Sequence, residues 1–214
     1  MTRATATSSA QAGQPPAPHL APLVAATLTA AGFRVTGPDP GDPAAGELAI
    51  HCPQARCLLT ISPWGTAELD WTPDATPATD PHHVSDLAAA LLAGPPRPRH
   101  PDAKPASDIT FKGIVGMDMR AAGYTVTLDV HPDDYYYDVA AEITVTNPRA
   151  PAAGIIHVTD ETGLTWHRDY WEAQAAGTRN PGDRTWLPDP AATAQAIAAT
   201  ITRALTTATA SSGN

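Results

Sequence analysis

The seven residues AAGFRVT, Ala30 to Thr36, recur as AAGYTVT at Ala121 to Thr127, an offset of 91 positions. An alanine-rich chain repeats short strings by chance, so the offset has to be tested at positions that would be buried. Shifting by 91 lays Leu20, Leu23, Val24 and Leu28 on Phe111, Ile114, Val115 and Met119. Both sets form the i, i+3, i+4, i+8 stripe of an amphipathic helix. Gly32 and Gly123 then follow the last helical turn, where a left-handed residue reverses the chain. A strand is expected after each, over Phe33 to Val35 and Tyr124 to Val130.

The match continues downstream. ELAIHCP (Glu47 to Pro53) answers EITVTNP (Glu142 to Pro148), with Leu48, Ile50 and Cys52 on one face of the first strand and Ile143, Val145 and Asn147 on one face of the second. The next strands carry Leu59 and Ile61 in one copy and Ile156 and Val158 in the other. Placing Cys52 opposite Cys57 sets Ile50 beside Leu59 and Leu48 beside Ile61; placing Val145 opposite Ile156 sets Ile143 beside Val158. Each register keeps one face apolar. The turns SPWG (Ser62 to Gly65) and DETG (Asp160 to Gly163) follow, pairing Leu59 with Leu69, Ile156 with Arg168 and Val158 with Trp166. Asp80-Pro81 and Asp189-Pro190 open alanine-rich helices running to about Leu92 and Leu205, with aspartate as cap and proline as first helical residue.

These matches predict an α+β chain made by tandem duplication of a helix, a four-stranded antiparallel meander and a helix. The expected organisation is a tail over 1–18, a first unit over 19–94, a proline-rich linker over 95–107, a second unit over 108–207 and a tail over 208–214. The segment 171–188 has no counterpart in the first unit.

Charge and composition narrow the function. With 13 Lys plus Arg against 22 Asp plus Glu, the formal charge is -9, which repels a phosphate backbone and argues against nucleic acid. No run approaches the roughly 18 apolar residues that cross a bilayer, and the start lacks an apolar signal core. A soluble cytoplasmic protein is the expectation, and two cysteines are too few for a secreted disulfide framework. The chain carries no phosphate loop, GxSxG, HExxH or dinucleotide fingerprint, so no cofactor is expected.

Three clusters remain. The DETG register sets His157 opposite His167 on the polar face, where Asp169 or Glu142 would complete a metal or acid–base site. His51, Cys52 and Cys57 form a second metal-ligand set, although the register turns both thiols toward the apolar face, where a buried cysteine is ordinary packing. The aromatic residues Trp64, Tyr135, Tyr136, Tyr137, Trp166, Tyr170 and Trp171 offer surface suited to a protein partner. The favoured expectation is a noncatalytic protein-binding or assembly module, with homodimerisation open. The alternative is a metal-dependent or acid–base enzyme centred on His157, His167 and Asp169.

Overall fold

The computed structural model describes residues 20–37, 46–53, 55–62, 65–74, 80–94, 111–132, 139–158, 163–168 and 189–211, with side chains described for all but 129–132, 139–141 and 208–211. Helix α1 spans Leu20–Ala30, followed by strands β1 (Val35–Thr36), β2 (Glu47–Cys52), β3 (Ala55–Ile61) and β4 (Ala67–Pro73) and helix α2 (Pro81–Leu91). Helix α3 spans Phe111–Ala121, followed by β5 (Thr125–Pro132), β6 (Val139–Thr146), β7 (Ile155–Val158), β8 (Leu164–Arg168) and helix α4 (Pro190–Ser211). The protein is therefore α+β. The described strands form one eight-stranded antiparallel sheet in the order β1-β2-β3-β4-β8-β7-β6-β5.

That order joins the two meanders at their last strands. Leu69 pairs with Trp166 and Trp71 with Leu164 across the β4–β8 seam, all four buried. The alternation of the strands sends Leu48, Ile50, Cys57, Leu59, Leu69, Trp71, Leu164, Trp166, Ile156, Val158, Ile143 and Val145 to one face, which the four described helices cover.

The helices cross from one half to the other. The helical layer runs α1, α4, α2, α3, so the last helix of each half packs on the first helix of the other half. The end of α2 shows what fixes this. Its terminal carbonyls lack partners within the helix; the closing turn meets some of them, with Gly94 N on Ala89 O and Ala93 N on Ala90 O, and side chains from the other half add to these. Asn147 Nδ2 donates to Leu92 O at 2.8 Å, Arg203 Nε to Ala90 O at 2.9 Å and the Tyr124 hydroxyl to Ala89 O at 3.5 Å. All three donors come from beyond residue 120. At the other end, the Asp80 side chain accepts from His82 N at 2.9 Å, and Asp189 does the same for Ala192 N in α4, as the Asp-Pro pairs predict.

Two hairpin registers differ from the sequence expectation by two residues. Cys52 pairs with Ala55 rather than Cys57, so Ile50 faces Cys57 and Leu48 faces Leu59. His157 pairs with Thr165 rather than His167, so Val158 faces Leu164 and Ile156 faces Trp166. A shift of two leaves every side chain on its original face, so the apolar pattern cannot choose between the two. The observed β2–β3 register shortens the loop and pairs more of each strand, and the observed β7–β8 register sets buried Leu164 opposite buried Val158. The β3–β4 and β6–β7 registers are as expected, with Leu59 on Leu69 and Val145 on Ile156. Tyr124 is not a strand residue but a buried side chain closing α3, and α4 runs past Leu205 to Ser211.

Candidate functional site

The face of the sheet opposite the helices is polar across both halves. One cross-strand row runs Leu58, Asp70, Thr165, His157, Thr144 and a second runs Glu47, Thr60, Glu68, His167. Thr165 Oγ1 donates to Asp70 Oδ1 at 2.8 Å, tying the halves together at the seam. His157 Nδ1 lies 3.2 Å from Glu142 Oε1 and 3.5 Å from Thr144 Oγ1. His157 and His167 are thus diagonal neighbours, and directly opposed imidazoles are replaced by a His157–Glu142 pair. Asp169 lies outside the described residues. No group of three His, Cys, Asp or Glu side chains able to hold a metal occurs among the described residues.

Around the thiols, alternation separates what the sequence string HCPQARC places side by side. His51 pairs with Arg56 on the polar face and is exposed, whereas Cys52 and Cys57 share the helix-side face. His82 is held 2.7 Å from Asp118 on α3, and His83 stacks at a tilt on Trp71 with ring centroids 5.7 Å apart. Cys57 is buried, but Cys52 is only half-buried, which corrects the expectation that both thiols are enclosed. Their sulfurs are hydrogen-bonded at 2.7 Å. That bond lowers the pKa of the Cys52 thiol from its ordinary value, with burial opposing, while the same bond and burial push the pKa of Cys57 far up. A pocket of about 360 Å³ is lined by both cysteines together with Arg34, His51 and Arg56.

The third feature is the β5 end of the molecule. Helix α3 packs on β5 and β6, and β5 is the last strand of the sheet. Met117 on α3 and Leu128 on β5 are each 58% exposed. Leu128 pairs with Ile143 on the apolar face, so its exposure follows from position at the edge, where the helical layer ends. Neither residue was singled out from sequence. The signal was an apolar residue at the correct face of a predicted strand, and only strand order shows that the strand is terminal.

Of the aromatic candidates, Trp166 is fully enclosed in the core, and its Nε1 donates to Ala153 O at 2.9 Å. It supports the seam rather than a partner surface. Trp64, Tyr135, Tyr136, Tyr137, Tyr170 and Trp171 lie outside the described residues. No helix among the described residues is long and apolar enough to cross a membrane. No protein-family model, curated protein or solved structure matches this chain.

Proposed function

We propose that this protein is a noncatalytic cytoplasmic protein-binding or assembly module, built by duplication of a helix–meander–helix unit, whose partner is another protein chain docking at the β5 end. The carrying observation is the eight-residue edge strand β5, Thr125–Pro132, with Leu128 and Met117 exposed beside it. An edge strand offers unpaired backbone groups to an incoming strand, and apolar side chains on the same end give that strand something to bury. The connection between β5 and β6 carries Tyr135, Tyr136 and Tyr137. The net charge of -9 supports a protein over a nucleic-acid partner.

Duplication is supported by the mirror-symmetric strand order, the exchanged helices and the matching helix ends. Gly32 at φ 94° and Gly123 at φ 88° close α1 and α3 with the same pair of backbone bonds.

The test is sedimentation across a concentration series, with crosslinking and mass spectrometry in cell extract, on wild type and on Leu128→Lys. Self-association or a crosslinked partner mapping to 117–132 and lost in the variant supports the reading. A partner that maps elsewhere and ignores Leu128→Lys overturns it. The acid–base enzyme alternative keeps one supporting contact, His157 with Glu142, and His157→Ala tests it: zinc or manganese binding lost in that variant would favour the enzyme.

A further inference from the structure

The thiol pair has no part in partner docking. We propose that Cys52 and Cys57 form a thiol–disulfide exchange site, which accepts a small disulfide carrying carboxylate groups and ends as an intramolecular Cys52–Cys57 disulfide. Three observations converge on it. The sulfurs stand 2.7 Å apart, within about 0.7 Å of bonding distance. The two thiols differ in access, with Cys52 half-buried and Cys57 enclosed at 2% exposure. An attacking thiol has to meet its reagent, and a resolving thiol only has to reach its neighbour. The pocket that both cysteines line also carries Arg34, His51 and Arg56 and no carboxylate among its described lining residues, in a chain of net charge -9. Its volume of about 360 Å³ suits a small molecule, and the two arginines among its lining residues give it positive charge that suits an anion.

The exchange proceeds in two displacements. The Cys52 thiolate attacks one sulfur of the reagent, the reagent's S–S bond breaks, and the first half leaves as a thiolate. Cys57 then loses its proton and attacks Cys52 Sγ, expelling the second half. Two electrons pass from the protein to the reagent, which leaves as two thiols carrying the protons of Cys52 and Cys57. The protein is left with one new S–S bond. No other oxidant is required.

The experiment uses the full chain with oxidised glutathione as the carboxylate-bearing probe and hydroxyethyl disulfide as the neutral one. Intact mass and peptide mapping are the readouts, and circular dichroism checks each variant. The folded wild type is expected to lose two hydrogens and link Cys52 to Cys57, reversibly with a dithiol. Cys57→Ser is expected to stop as a glutathione adduct on Cys52, and Cys52→Ser to react at least about tenfold more slowly. Arg56→Ala, at an exposed position, is expected to slow glutathione disulfide several-fold and leave the neutral probe unchanged. A wild type that forms the disulfide only in denaturant overturns the site, as does Cys52→Ser reacting at the wild-type rate. Equal effects of Arg56→Ala on both probes overturn the assignment to carboxylate-bearing reagents. Should Cys57→Ser fail to fold, single-turnover labelling of wild type decides: Cys52 modified before Cys57 supports the order of attack, and the reverse overturns it.

Discussion

Ala93 ends α2 in the left-handed conformation, φ 52°, where α1 and α3 use Gly32 and Gly123. The same backbone bonds close all three helices, with Gly94 N donating to Ala89 O at 3.1 Å in α2. Glycine stands one residue later there because a Cβ on Gly94 would collide with the Tyr124 hydroxyl. An L-residue pays for that conformation where glycine does not, so Ala93→Gly is expected to stabilise the protein by about 0.5–1 kcal/mol in urea unfolding. Gly123→Val should go the other way, by about 1–2 kcal/mol. Asn147 is buried at 4% exposure with both ends of its amide used, one on Leu92 O and one on Arg149 N. Asn147→Ala leaves the Leu92 carbonyl unpaired and is expected to cost about 1–3 kcal/mol. Burial lowers the imidazole of His83 below its ordinary value of 6.5, against the opposing pull of Asp80 and Asp86. In the unfolded chain it takes up a proton first, so the unfolded state binds more protons and stability falls as pH drops below about 6.5. The fall ends beneath the folded pKa. Measured by denaturant unfolding at a series of pH values, His83→Gln should show a shallower loss across that window.

At the scale of elements, strands were easier to place than their pairing. The alternation of Leu48, Ile50 and Cys52, or of Ile143 and Val145, identifies a strand and its buried face, and both are found as expected. Register is a different matter, since slips of two residues conserve every face. That is why the thiols are diagonal rather than opposed, and why His157 meets Thr165 and Glu142 instead of His167. Helix starts were legible to the residue from Asp80-Pro81 and Asp189-Pro190, because a cap is a local hydrogen bond. The β4–β8 seam had no such signal. Its chief support is Trp166, fully buried against Leu69 with its indole nitrogen bonded to Ala153 O. Trp166→Ala is expected to cost about 3–5 kcal/mol, read as a large drop in the unfolding midpoint.

For the molecule as a whole, the joined sheet and exchanged helices make each half depend on the other. Separated as 1–107 and 108–214, each fragment would expose the seam and leave α2 or α4 without its helix partner, including the side chains that satisfy α2's last carbonyls. Neither fragment is expected to unfold cooperatively, mixing them should restore a cooperative transition, and the intact chain should unfold in one step by circular dichroism and tryptophan fluorescence. A fragment that melts cooperatively by itself would contradict this dependence. The sequence by itself determined the elements, their order along the chain, the buried face of each strand and the helix caps, because these rest on contacts between residues near one another in the chain. Only the tertiary structure decided that two meanders share one sheet, that each final helix crosses to the other half, and that β5 is an edge with Leu128 uncovered. It also brought Cys52 and Cys57 within 2.7 Å on a diagonal. Those outcomes turn on which distant surfaces bury the most apolar area together, and an apolar stripe records that it must be covered without recording by what.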